Sequence, residues 1–425
     1  MKPSLFFLFT AALGALAAPI SEQSSDQSGR KQYDIVMAPH VDIQGTLNRL
    51  HLNAVLERVF ASFDNRFFKG FSTHMTPAEV TLLRTVSHML AIGEVTDIHP
   101  AASRNDAPWG LQRISQKDTI RSNTYPLDRK FKYTWDDSST LGKGVDAYVL
   151  DTGIVTTHQE FGKRATMGYS YWKDNMTDGH GHGTHCAGTI GGATVGVAKN
   201  ANLIGVKVLP DDGPGPSTSL LAGLNWVARR HHDRSAQKDF VASVISLSLA
   251  FADRSKPVEA AIQKLVEGGV HAALAAGNDR LDACTHSPSA MGGAKSTIPV
   301  VTVGATTFDD RIAPFSDYGP CVDVFAPGVW IASAGIASND EYTVKSGTSM
   351  ATPHVAGLMA YRVTTGKDGR GMKPKEVKRW LVEGAARGVL REKADGSGKK
   401  PESQLIVAFN GVVGAARGGG GGLFG

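Results

Sequence analysis

The chain is poor in cysteine, with 3 in 425 residues, and shows little excess of either charge: 45 Lys and Arg stand against 40 Asp and Glu, a formal +5. So few cysteines leave room for one disulfide at most, and by themselves they leave the choice of partners open. No long basic run is present, which argues against a nucleic-acid partner. The densest cationic patch, Arg229-Arg230-His231-His232-Asp233-Arg234, follows a helical pattern from Leu220 to Val227. Cations suit a helix C-terminus, so it reads as a solvated helix end. Long apolar runs are also scarce. The one near the start, Leu5 to Leu16, follows Lys2 and ends in the small-residue site Ala15-Leu16-Ala17. It is too short to span a membrane and reads as a secretory signal peptide over 1–17. No later segment reaches spanning length without charges, so no membrane partner is expected. The Gly-rich stretch 412–425 is flexible by composition and lacks the hydrophobic run of a lipid-anchor signal. Secretion into an oxidising compartment is the expected destination, with a lytic vacuole as the alternative. The mature chain is taken to be a monomer.

What is present falls into two parts. After a polar spacer, residues 33–98 read as strand Tyr33–Met37, helix 46–62, strand 67–74, helix 77–90 and strand 92–98. Thr76-Pro77-Ala78-Glu79 carries the start signals of that second helix: a Thr cap, Pro at the first position and an acid in the first turn. From Gly144 onward, short apolar runs at 145–150, 201–208, 244–249, 271–276 and 300–305 alternate with helical patterns. That alternation predicts an α/β fold, a parallel sheet with helices on both faces.

Three blocks carry chemistry. In Ala147-Tyr148-Val149-Leu150-Asp151-Thr152-Gly153 an apolar strand ends at Asp151, and Gly153 permits a sharp exit. Asp178-Gly179-His180-Gly181-His182-Gly183-Thr184-His185-Cys186 offers a base. Gly347-Thr348-Ser349-Met350-Ala351-Thr352-Pro353-His354 places a serine at a Gly-containing turn that opens a helix. A hydroxyl is a poor nucleophile until a base takes its proton, and the base needs a group to orient it. Asp151, His182 and Ser349 supply these roles. A metal reading of His180, His182 and His185 requires convergent geometry and usually a further ligand.

All three blocks, in the order Asp, His, Ser, resemble the subtilisin-like serine proteases, or subtilases, particularly the proteinase K and cerevisin branch. The resemblance implies a serine endopeptidase made as a zymogen. Residues 18–100 would be its propeptide, a small α+β ferredoxin-like domain, and 101–411 the peptidase domain. Ala107-Pro108-Trp109-Gly110 resembles the mature N-terminus. Pro100 disfavours cleavage beside it, so the cut is expected at Ala101 or Ala102. The propeptide would act as folding chaperone and intramolecular inhibitor.

The resemblance also assigns Asn278, in Leu274-Ala275-Ala276-Gly277-Asn278, as the oxyanion donor alongside the Ser349 backbone N–H. Gly213 and Gly215, with Ser248, Leu249 and Ala250, would flank an extended substrate, and Ala275 and Gly277 would line the pocket for the residue before the cut. Relatives commonly carry Gly-Gly where this chain has Ala250-Phe251. The extra methyl should narrow that pocket toward medium apolar side chains. Cys284 and Cys321 are expected to pair, leaving Cys186 as a free, buried thiol where a mercurial would disturb His182. No cofactor is required for the chemistry. A structural calcium is suggested at Asp323 with the carbonyls of Ile298 and Val300. Asn175-Met176-Thr177 is a glycosylation sequon. Protein or peptide substrates are the expected partners. The alternatives are a processing protease selective for basic sites, which would want acidic pocket walls, and a catalytically dead binding scaffold.

Overall fold

The computed structural model describes residues 29–95, 101–364, 371–391 and 404–412, and the chain divides into two compact units, Met1–Ile98 and His99–Gly425. The expected signal peptide, the His99-Pro100 pair and the Gly-rich end from 413 lie outside the described residues.

The first unit contains β1 (Lys31–Met37), α1 (Ile43–Arg49), α2 (Asn53–Leu56), β2 (Val59–Asp64), β3 (Lys69–Met75), α3 (Pro77–Leu83) and β4 (Met89–Glu94). Its strands lie in the order β2-β3-β1-β4, all antiparallel, which is the ferredoxin-like arrangement. Tyr33, Ile35 and Met37 share one face of β1 and are buried with Leu47, Val55, Phe71 and Leu83. The helix expected over 46–62 is not one helix. His51 takes a φ of +55°, a left-handed conformation that ends helical propagation. Beyond it, the β-branched and aromatic run from Val59 pairs with β3 instead. At Thr76 the start signals work as expected. The Thr76 amide donates to Glu79 at 2.7 Å and the Glu79 amide to the Thr76 hydroxyl at 3.3 Å, a reciprocal cap. That helix ends at Leu83, well before 90.

The second unit begins with β5 (Ala101–Ala107), α4 (Trp109–Arg113) and β6 (Phe131–Asp136), followed by β7 (Val145–Asp151), β8 (Ala165–Ser170), α5 (His182–Gly191), β9 (Asn202–Lys207), α6 (Ser217–Ser235), β10 (Ala242–Leu247), α7 (Lys256–Glu267), β11 (His271–Ala275) and β12 (Val301–Thr306). It continues with β13 (Val324–Pro327), β14 (Ile331–Ala334), β15 (Tyr342–Lys345), α8 (Thr348–Val363), α9 (Pro374–Gly384), β16 (Ala386–Arg387) and β17 (Ile406–Val407). Nine strands form one sheet in the order β16-β17-β13-β12-β11-β10-β7-β9-β8, parallel except for β16.

The strand pleat sends alternate residues to opposite faces, and both faces are covered. Ala147, Val149 and Val244 pack with Ile190, Val355 and Leu358 of α5 and α8. Tyr148, Leu150, Ile245 and Leu247 pack with Leu224, Val227, Val258 and Ile262 of α6 and α7. Burial of each such side chain stabilises the fold by about 1.5–3 kcal/mol. The cationic patch at 229–234 belongs to the last turns of α6 and is not wholly solvated. Arg234 is buried, and its Nε donates to Asp146 at 2.7 Å.

Strand order reverses at β7, whose neighbours are β10 on one side and β9 on the other. In an open α/β sheet the crevice beyond the carboxyl ends of strands at such a point is the natural ligand site. Asp151 ends β7, and Ser248 follows β10.

Candidate active site

Asp151 is fully buried, and its two carboxylate oxygens lie 2.8 and 3.0 Å from Nδ1 of His182. The Thr152 amide donates to the same carboxylate at 2.7 Å. Gly153 follows with φ +117°, and a Cβ there would stand 2.5 Å from the Thr177 carbonyl. Only glycine lets the chain leave β7 this closely against the segment leading into α5.

His182 is the first residue of α5. Donors of the loop leading into it, together with Thr184 of its first turn, converge on Asp178, itself buried. One of its oxygens accepts from the amides of His180 and Gly181 at 3.1 and 2.8 Å and from the Thr152 hydroxyl at 2.8 Å. The other accepts from the Thr184 amide and hydroxyl at 2.9 and 2.6 Å. Asp178 thus satisfies otherwise orphaned helix N–H groups and ties α5 to the β7 exit. Sequence reasoning did not single it out. The available signal was an acid placed just before a helix start.

Burial alone would lower the His182 pKa, but the charge of Asp151 and its hydrogen bond together outweigh it and hold the imidazole above its ordinary 6.5. One turn on, His185 is pushed down to about 3 by burial, and its Nε2 lies 2.9 Å from the Ile331 carbonyl. Among the described residues, the potential metal donors gathered within 4.8 Å are Asp151, His182 and Cys186, not the three histidines. Cys186 is buried and unpaired, burial raises its thiol pKa well above the ordinary value, and its sulfur donates to the Ser349 carbonyl at 3.4 Å.

Ser349 is the second residue of α8. Its hydroxyl donates to the Ser248 carbonyl at 3.1 Å, and the Ser248 hydroxyl donates to the Ser349 carbonyl at 2.9 Å. The nucleophile candidate is therefore latched to the end of β10. Its hydroxyl points to a backbone carbonyl in this state.

Asn278 lies against the same turn. Its Oδ1 accepts from the Thr348 amide at 2.8 Å and hydroxyl at 3.0 Å. Two donors on the oxygen fix which end of the amide is which, so the NH₂ is the end left for a ligand. A Cβ at Gly347 would lie 3.7 Å from that nitrogen, which puts it at the turn preceding Ser349. The loop carrying Asn278 is held by Asp317, which accepts from the Asp279 and Leu281 amides at 2.9 and 2.8 Å and faces Nε2 of His286 at 2.9 Å. Gly277, at φ +117°, lets the loop pass over that carboxylate; a Cβ would fall 2.0 Å from Asp317 Oδ2. Neither Asp317 nor His286 was visible as functional in the sequence.

A cleft of about 370 Å³ opens between two segments and is lined by His182, Gly213, Gly215, Ser248, Leu249 and Ala250, with Leu220 and Phe251 adding apolar surface. The residues lining it include no carboxylate. Ala275 and Gly277 are not on its wall; both are buried at the end of β11. Cys284 and Cys321 form a disulfide with Cα atoms 5.3 Å apart. Asn175 is half-buried, and its side-chain amide donates to Asp211 at 2.7 Å. The calcium trio does not fit a cation cage. The Ile298 carbonyl already accepts from the Val300 amide and the Ser296 hydroxyl at 2.9 and 3.1 Å, and Asp323 is paired with Lys378 at 2.9 Å.

Known proteins resemble this chain in sequence and fold. The Subtilase family model matches residues 142–404. The chain is 36% identical over 417 residues to the subtilisin-like serine protease Pen c 2 of Penicillium citrinum, covering 88% of each. It is 35% identical to alkaline protease 2 of Aspergillus fumigatus, over 88% of this chain and 81% of that one. It is 37% identical to cerevisin of Saccharomyces cerevisiae over 77% of this chain and 52% of that relative. The crystal structure of a cold-adapted subtilisin-like serine proteinase aligns with a TM-score of 0.58 at 38% identity, over 72% of this chain and 98% of that one. On the family match, these relatives and the shared fold, the chain belongs to the subtilase family and is a serine endopeptidase of the subtilisin type.

Proposed function

We propose that this endopeptidase cleaves protein substrates through Asp151, His182 and Ser349, that residues 18–100 act as its removable inhibitor, and that the mature enzyme is secreted. The observation carrying the catalytic assignment is the buried Asp151 carboxylate on Nδ1 of His182, at the sheet's reversal point beside the α8 N-terminus. With Nδ1 so held, Nε2 is the base for the Ser349 hydroxyl once it swings from the Ser248 carbonyl. The imidazolium then returns its proton to the leaving amine, and Asp151 stabilises the charged ring. The oxyanion forms beside the Ser349 backbone N–H and the Asn278 amide, both set before the reaction begins.

Substrate would lie extended between Gly213-Pro214-Gly215 and Ser248-Leu249-Ala250, pairing with backbone rather than side chains. A cleft wall of Leu, Ala and Phe without acid supports apolar specificity over a preference for basic residues. Vacuolar delivery remains the alternative to secretion. The test is hydrolysis of a peptide p-nitroanilide series with Phe, Leu or Ala before the scissile bond, by wild type and Ser349→Ala. Wild type is expected to turn over with Leu preferred, and the variant to lose activity. Equal turnover by the variant would end the assignment, and a clear Phe optimum would end the specificity.

A further inference from the structure

We infer that the side chain of Lys378 is a built-in cation that takes the place of calcium at Asp323, so that this part of the fold holds together without a metal ion. The inference starts from a buried charge. Asp323 has no exposure and directly precedes β13. An isolated carboxylate in such a place is costly, so it must be compensated by donors or by a cation.

Each oxygen faces a different group, Oδ1 through a charge contact rather than an aligned hydrogen bond. Oδ2 accepts from the Thr302 amide at 2.9 Å, and Oδ1 lies 2.9 Å from Nζ of Lys378. The same Nζ donates to the Gly293 carbonyl at 3.3 Å. A carboxylate and a backbone carbonyl are the hard oxygen ligands that calcium accepts. Here both are taken by one ammonium group, whose three hydrogens suit several oxygens at once. A further oxygen that could have completed a metal shell, the carbonyl of Ile298, already accepts from the Val300 amide at 2.9 Å. A divalent ion entering here would meet a positive charge already seated between the carboxylate and the Gly293 carbonyl.

The source of the lysine explains why this arrangement holds. Lys378 lies in the middle of α9, which is anchored by Val377 and Leu381, both buried to the last percent. Its side chain is 15% exposed, so the stem is packed while the ammonium reaches inward. The pair joins α9 to the sheet at β13 and to the turn at Gly293. That turn follows the segment bearing Cys284, whose disulfide partner Cys321 lies two residues before Asp323. The device is therefore a tie among elements remote in sequence, made by protein charge in place of an ion.

The test is thermal unfolding of the purified chain, inactivated with a serine-directed fluorophosphonate or sulfonyl fluoride to stop autolysis, in EGTA and in millimolar calcium chloride. Wild type is expected to show the same Tm in both. Lys378→Met keeps the stem and removes the charge, and should lower Tm in EGTA by roughly 5–10 °C, the loss expected when a buried pair is left half-made. Lys378→Met with Asp323→Asn should recover most of that loss, because no uncompensated charge remains. A wild-type Tm that rises with calcium, with the rise abolished in Asp323→Asn, would overturn the inference. So would a Lys378→Met variant as stable as wild type. If Lys378→Met fails to fold, the double variant decides: its recovery supports the charge argument, and its failure contradicts it. None of these readouts depends on proteolysis, so they stand apart from the catalytic assignment.

Discussion

Three side chains carry the reaction in the proposed mechanism, and the surroundings of each set what it can do. His182 must be neutral to accept a proton, and Asp151 holds its pKa above the ordinary 6.5 despite burial. The acidic limb of kcat/KM should therefore titrate above 6.5, with activity lost as pH falls through that value and the imidazole charges. A pH–rate profile on a peptide anilide checks this; a limb at or below the ordinary value would contradict it. Asp151→Asn should cut kcat by about 10⁴, the scale seen when a triad loses its orienting carboxylate. Asn278→Ala should cost roughly 10²–10³ in kcat with KM little changed, because its amide engages charge that exists only in the transition state. The residues proposed to react could be singled out because their glycine-flanked blocks have a distinctive order. Asp178 and Asp317 were not. Their partners are mostly backbone N–H groups, which every sequence has, so nothing in the residue pattern marks them before the chain is folded.

At the scale of elements, the site depends on where three segments begin and end. The end of β7 delivers Asp151, the first turn of α5 delivers His182, and the first turn of α8 delivers Ser349. Asp178→Ala should destabilise the protein by about 2 kcal/mol, at the upper end of a cap loss because the donors left behind are buried. It should also lower kcat through a misplaced His182; chemical denaturation and kinetics on the same variant measure both. If the segment after β10 sets specificity as proposed, Ala250→Gly should raise kcat/KM for Phe relative to Leu before the scissile bond, read from the same anilide series. Strands β7, β9, β10, β11 and β12 were legible as short apolar runs because both faces of the sheet are buried there, whereas β8, β13 and β17 were not. The helix expected over 46–62 was not there, because a left-handed residue at His51 and pairing with β3 outweigh local helical pattern. Helical periodicity cannot report a strand partner that lies farther along the chain.

For the whole molecule, the family resemblance puts a division after residue 100, and the coordinates form two compact units, Met1–Ile98 and His99–Gly425. If the first unit is a self-removed inhibitor, wild type should accumulate with an N-terminus near Ala101 or Ala102. Ser349→Ala should retain the leading hundred or so residues, as N-terminal sequencing and intact mass would report. Processing of the variant at the same site by itself would contradict this. The central claim is narrower: one hydroxyl, Ser349, is activated by His182. The most direct measurement is labelling of the full chain with a fluorophosphonate, followed by mass mapping of the modified peptide in wild type, Ser349→Ala and His182→Ala. The account predicts a label on Ser349 in wild type, none in Ser349→Ala and strongly slowed labelling in His182→Ala. No label, a label on another serine, or an unchanged rate in His182→Ala would contradict it.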